Sequence, residues 1–227
     1  MSLADMAIVA ILGAVLGLDV VSFPQAMLSR PLVACTVTAA FLGAAPAGLL
    51  LGALVEAFAL ETLPVGASRY PEWGSSSAVG GALVSQAATI TEGSVLLAVA
   101  ATLATAWAGS WSMVQLRRLN ARWANQRHAL VAAGSRKTVI GLQLYGLSAD
   151  VVRGGLLTIV GLIVFSPLYH RALGHWSLDP LLTRTLLIAL AGIVAAGAVH
   201  KVFHSTTHTR WYFFAGLAIG LTILAVR

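Results

Sequence analysis

The chain has 227 residues, 58% of them hydrophobic and 10% charged, and a mean hydropathy of +0.87, whereas an ordinary soluble domain carries about 25% charged residues. That composition excludes a soluble fold. The net charge of +6 does not indicate nucleic acid, because the basic residues sit mostly in one connecting segment, and lone Cys35 cannot form an intrachain disulfide and reads as a small core residue.

Apolar stretches run through the whole chain, and at about 20 residues per span they predict one all-α, polytopic membrane domain over residues 1–227. Asp5 precedes the first hydrophobic segment and no Lys or Arg occurs before Arg30, so the basic start of a cleaved signal peptide is missing and that segment is expected to be retained. Met6 to Ser22 predicts a short helix interrupted near its end by Asp19. Phe23-Pro24 follows, and proline disfavours a helical conformation in the residue before it.

The stretch from Pro31 to Ala67 is too long for one pass. As a single helix it would reach about 55 Å, against a hydrocarbon core of about 30 Å. It must bend or return, and Gly43, Pro46, Gly48 and Gly52 supply places to do so. Re-entrant hairpins are therefore expected, with protein or a wet cavity covering the freed backbone groups.

Residues 68–77 read as a polar, glycine-containing connection and residues 76–90 as a short apolar piece ended by Thr91-Glu92-Gly93. Ser94 to Gln115 is long enough to span. Leu116 to Lys137 then carries Arg117, Arg118, Arg122, Arg127, Arg136 and Lys137 with no acidic residue, and reads as a basic loop that the positive-inside rule makes cytoplasmic. Such a loop can hold anionic lipid, at about 1 kcal/mol per basic residue, or an acidic face of a soluble partner. Thr138 to Tyr169, Thr183 to His200 and Trp211 to Val226 predict three further passes, and Trp107, Trp111, Trp123, Trp176, Trp211 and Tyr212 near span ends read as headgroup anchors. Spacings of the GxxxG kind, which let helix backbones approach, occur at Gly13 to Gly17 and Gly48 to Gly52.

Charges inside so apolar a chain require a reason, since one at the bilayer centre costs about 2.5 to 3.5 kcal/mol on insertion scales. Arg30, Glu56, Glu61 and Glu72 thread the segment from Phe23 to Glu72. A sugar presents hydroxyls that both donate and accept, so a selective pocket needs carboxylates as acceptors with amide or guanidinium donors. Gln25, Arg30, Glu56 and Glu72 offer that mixture. Three of them have a second reading: Glu56 as a protonated carboxylate or one paired with Arg30 to hold hairpins together, Arg30 as a headgroup contact, Glu72 as a solvated turn residue. Asp19 reads as a helix-end residue or a sugar acceptor. Glu61 lies about 140° around a helix from Glu56, so the two need not share a site.

Asp150 and Arg153, spaced i, i+3, are expected to neutralise one another, with Gln143 on the same segment as a further polar contact. His200, His204 and His208 form a stripe at helical spacing, but no cysteine or carboxylate accompanies them and Lys201 intrudes, so no metal site and no cofactor is assigned. Phosphate-binding, zinc-protease and nucleophile-elbow motifs are absent, and no catalytic residue is assigned to this chain.

The ordered run Gln25-Ala26-Met27-Leu28-Ser29-Arg30-Pro31-Leu32-Val33, the glycine-spaced Gly43, Gly48 and Gly52 leading to Glu56, and Leu63-Pro64-Val65-Gly66-Ala67 followed by Pro71-Glu72 resemble the IIC component of the mannose/fructose/sorbose class of the sugar phosphotransferase system. The resemblance covers most of the chain and is sharp over about a quarter of it. It implies a permease subunit of the bacterial inner membrane that takes up a hexose or related sugar. A second membrane subunit, IID, would accompany it in an oligomer of IIC and IID pairs. A cytoplasmic IIAB phosphocarrier would phosphorylate the sugar. Two departures stand out: Gly43-Ala44 occupies a place where the family commonly has Gly-Asp, and the chain stops at Arg227 where relatives continue with another hydrophobic segment. Two alternatives remain beside the permease: a noncatalytic membrane scaffold or regulatory relative, and a stand-alone sugar facilitator.

Overall fold

The computed structural model describes residues 1–19, 22–60, 69–203 and 209–225; Glu61, the Leu63 to Ala67 motif, His204 and His208 lie outside them. The described residues form helices joined by short connections, as expected for an all-α membrane protein. The first, α1 (Leu3–Leu18), opens on a capping box in which Asp5 N–H donates to Ser2 Oγ at 3.1 Å and Ser2 N–H to Asp5 Oδ2 at 2.9 Å. These bonds satisfy donors that the first helical turn leaves free.

The long stretch after Arg30 breaks as its length demands. α2 (Pro31–Phe41) and α3 (Ala45–Leu60) form an antiparallel hairpin whose turn holds Gly43 at φ +79°, a conformation that glycine adopts without a Cβ clash. With 11 and 16 residues, these helices rise only about 16 and 24 Å, less than the hydrocarbon core of about 30 Å. Gly48 and Gly52 do not break α3. They let it lie against α2: a Cβ at Gly52 would sit 2.9 Å from both Leu32 Cα and the Pro31 carbonyl oxygen, and one at Gly48 would meet Ala39 Cβ and the Cys35 carbonyl. Cys35 is fully buried there, as its apolar setting implied.

Of the polar connection expected over residues 68–77, residues 69–72 are non-helical as expected, and residues 73–77 are corrected by the structure. Trp73 begins α4 (Trp73–Val84), and every residue of that helix is buried. It packs against α1, α2, α3, and two long helices, α5 (Glu92–Gln126) and α7 (Arg136–Gly174). Small residues make this possible because they let several backbones approach one helix. The serines give no polar surface: Ser75 Oγ donates to the Gly13 carbonyl at 2.9 Å and Ser76 Oγ to the Glu72 carbonyl at 2.5 Å.

The basic segment after Leu116 is helical as well. α5 continues to Gln126, a single turn α6 (His128–Ala132) follows, and Ser135 caps α7, accepting from Thr138 N–H. At 35 and 39 residues, α5 and α7 reach about 52 and 58 Å, so their ends project beyond a bilayer as a helical hairpin. With α8 (Pro180–Phe203), they are the described helices long and apolar enough to cross a membrane. α8 leans on α3 and α5. The last helix, α9 (Thr209–Ala225), exposes Trp211, Phe214, Leu217 and Ile219.

Candidate functional site

Arg30 and Glu56 come together at the open end of the α2–α3 hairpin. Pro31 at the first position of α2 has no N–H, and Leu32 N–H, the next donor, is answered from α3: Glu56 Oε2 accepts it at 3.1 Å while Glu56 Oε1 accepts from Arg30 Nε at 2.6 Å. The carboxylate thus caps the positive end of the α2 dipole and neutralises the arginine beside it. The two side chains keep 32% and 18% of their surface exposed, so the pair lies at the edge of the bundle.

Gln25 lies on the exposed segment between α1 and α2. Its φ is +61° and that of Met27 +62°, a left-handed conformation that costs a residue with a side chain about 1 to 2 kcal/mol. Asp19 at the end of α1 offsets this. Buried to 2% exposure, it accepts from Ala26 N–H at 2.6 Å and from Ser29 N–H at 2.9 Å. Of the two sequence readings of Asp19, these contacts realise the helix-end one.

Glu72 sits elsewhere, inside the seam where α1, α4 and α7 meet. It is 1% exposed, so it is not a solvated turn residue. Its N–H donates to the Ala106 carbonyl at 3.1 Å, and its carboxylate accepts from Ser75 N–H at 3.1 and 3.2 Å, capping α4. Gly17 of α1 makes room for it: a Cβ there would lie 2.5 Å from Ser75 Oγ, 3.2 Å from Glu72 Oε1 and 3.8 Å from an Arg153 guanidinium nitrogen. Arg153 attracts the Glu72 carboxylate and Asp150 repels it.

Asp150 and Arg153 pair as their spacing implied, Arg153 Nε donating to Asp150 Oδ1 at 2.8 Å. Both are buried, with side chains 3% and 8% exposed. Asp150 Oδ2 accepts from Ser22 Oγ at 2.6 Å and Arg153 donates to Ser112 Oγ at 3.3 Å. This seam of Glu72, Ser75, Ser112, Asp150 and Arg153 joins four helices by polar contacts where apolar packing surrounds them.

The seam borders a recess of about 720 Å³ toward the basic ends of α5 and α7, lined among others by Ser22, Asp150, Arg117, Asn120, Gln143 and Trp123. Its volume lies within the roughly 300 to 1,000 Å³ of small-molecule sites. Of the four residues chosen from the sequence, Arg30 and Glu56 touch one another, Glu72 belongs to the seam, and none lines this recess. Sequence reasoning missed Ser22, Ser75 and Ser112. The one available signal was Trp73-Gly74-Ser75-Ser76-Ser77, a run too small and too well placed after Glu72 to be only a turn.

The chain matches the family described as the sorbose-specific IIC component of the phosphotransferase system over residues 3–219. It is 29% identical over 196 residues to the sorbose-specific EIIC component of Klebsiella pneumoniae, covering 84% of this chain and 70% of that one. A solved chain described as a membrane protein shares the fold at TM-score 0.75 and 19% identity, covering 100% of this chain and 95% of that chain. The mannose transporter ManYZ, solved by cryo-electron microscopy with microcin E492, shares it at TM-score 0.62 and 18% identity, covering 100% and 94%. A multi-pass membrane protein whose sequence matches this family from one end of its bundle to the other belongs to it: the chain is a member of the sorbose-specific IIC component family of the sugar phosphotransferase system.

Proposed function

We propose that the chain carries a hexose or related sugar across the bacterial inner membrane as the IIC subunit of a phosphotransferase-type uptake system. IID is its membrane partner, the two assemble as an oligomer of pairs, and a cytoplasmic IIAB protein phosphorylates the sugar as it is released. The observation that carries the reading is the buried polar seam from Glu72 to Asp150 and Arg153 beside a recess of about 720 Å³. Groups so costly to place in a membrane are retained where they line a substrate path or brace one. Asp150 and Asn120 supply acceptors and Gln143 and Arg117 donors, the mixture that sugar hydroxyls require.

Glu56, with Arg30 and Gln25, enters the proposal as a second polar station at the mouth of the α2–α3 hairpin. Glu72 joins the recess through Arg153 and Asp150. The test is Glu56→Gln in the chain assembled with its membrane partner. Sugar binding in proteoliposomes is expected to weaken about tenfold with assembly intact, and a well-assembled variant that binds at full strength removes Glu56 from the path. Uptake that requires both donor protein and partner supports the coupled permease. Flux without either makes the chain a facilitator, and no flux under any condition makes it a scaffold.

A further inference from the structure

A second recess, of about 750 Å³, lies at the opposite end of the bundle from the basic hairpin, where α5 begins and α7 ends. Its lining includes Trp176, Glu92, His170, Gln86 and Thr183. Four of these are set by contacts that leave a defined chemistry facing the opening. Trp176 Nε1 donates to Thr183 Oγ1 at 3.3 Å, so its one polar atom is used. One region of its indole rests on α5, where a Cβ at Gly93 would come within 2.7 to 3.0 Å of the ring; the half-buried remainder belongs to the recess. Gln86 Oε1 accepts from Ser166 Oγ at 2.7 Å and meets His170 Nε2 at 3.1 Å, while its amide nitrogen donates to the Ala82 carbonyl at 3.2 Å. That network holds the histidine at the rim.

Glu92 is the acidic group in this lining and stands in the first turn of α5. An ionised carboxylate accepts hydrogen bonds and donates none. A fixed aromatic surface beside an acceptor-only carboxylate and an imidazole matches a pyranose, which has an apolar face of C–H groups and a rim of hydroxyl donors. Small-molecule sites combine such apolar area with a few placed polar groups. The flat apolar surface and the acceptor together suit a ligand that has both a C–H face and donating hydroxyls.

We infer that the recess formed by Trp176, Glu92 and His170 is an outer sugar-binding site, distinct from the recess beside Asp150. The inference rests on the transport reading proposed above. With the basic hairpin cytoplasmic, this recess faces the side from which sugar arrives, and it captures the substrate before the seam does.

The experiment uses the chain co-purified with its membrane partner, with mannose and sorbose as probes, read by intrinsic tryptophan fluorescence and by uptake into donor-loaded proteoliposomes. Glu92→Gln and Trp176→Leu are each expected to weaken sugar binding about tenfold and to raise KM by a similar factor with kcat unchanged, the signature of lost binding before the transporting step. Trp176→Phe, which keeps a ring, is expected to restore most of the affinity, an outcome that a purely structural role for the indole in bracing the α7–α8 turn does not produce. If the wild-type complex binds and transports while Glu92→Gln and Trp176→Phe match it within twofold and Trp176→Leu, where it assembles, does too, the outer site is overturned and the transport function stands. If the wild-type complex binds neither mannose nor sorbose, the outer site is overturned for both sugars, whereas the transport reading, which covers any hexose or related sugar, is not.

Discussion

Asp150 and Arg153 are each buried to within a few percent of their surface, and the hydroxyls of Ser22 and Ser112 hydrogen-bond the pair. Removing one partner of such a pair leaves an uncompensated charge, which costs about 3 to 5 kcal/mol, whereas replacing both by apolar side chains of similar size is often near neutral. Asp150→Asn is therefore expected to lower the thermal unfolding midpoint of the detergent-purified chain sharply, and Asp150→Leu combined with Arg153→Met to recover most of the loss. Both variants lose sugar binding if the recess is the substrate path. A single variant as stable as the wild type shows that the pair carries no such energy and that water reaches it. Glu72 depends on the same seam, because its carboxylate accepts from the Ser75 N–H and is attracted by the Arg153 charge.

Helix packing makes a separate claim, since two glycines of α3 do different work from Gly192 of α8. Gly52 lies against the backbone of α2, where a methyl group would be 2.9 Å from Leu32 Cα and from the Pro31 carbonyl. Gly192 of α8 has nothing within 4 Å of the same position. Gly52→Ala is expected to cost about 1 to 3 kcal/mol by overpacking and to loosen the Arg30–Glu56 contact, while Gly192→Ala gains up to about 1 kcal/mol of helix propensity. Thermal unfolding of the two variants side by side checks both signs. The same contrast explains what the sequence could convey. The length of residues 31–67 against the bilayer made the hairpin legible, and Gly43 marked its turn. The i, i+3 spacing of Asp150 and Arg153 made that pair legible too. The body of α4 was legible as the short apolar piece over residues 76–90, but its start at Trp73 was hidden because Gly and Ser carry little hydrophobic signal, and because Ser75 donates to the Gly13 carbonyl that only the folded packing brings near. The basic stretch was taken for a loop because charge content says nothing of helicity; Ser135 as a cap was the local sign. Joining Glu72 to Arg153 needed the crossing of α1, α4 and α7, which no spacing along one helix encodes.

At the scale of the whole molecule, α5 and α7 are too long for the bilayer by about 20 Å or more each, and the surplus carries Arg117, Arg118, Arg122, Arg127, Arg136 and Lys137. The positive-inside rule predicts such a cluster on the cytoplasmic side, and with it the start of α5 on the other. Cys35 makes the arrangement measurable, because it is the sole cysteine and is fully buried, so a membrane-impermeant maleimide leaves the native chain unlabelled. A cysteine placed by Ala132→Cys at the tip of the hairpin is expected to react in inside-out vesicles and not in intact spheroplasts. One placed by Ala88→Cys, in the exposed turn before α5, is expected to react in intact spheroplasts. The two positions are separated by the whole of α5, so labelling of both from the same side contradicts a membrane-crossing α5. The reverse pattern keeps the crossing but turns the molecule over, moving the Asp150 recess to the outside, where a cytoplasmic phosphoryl donor has no access to the sugar it is supposed to receive.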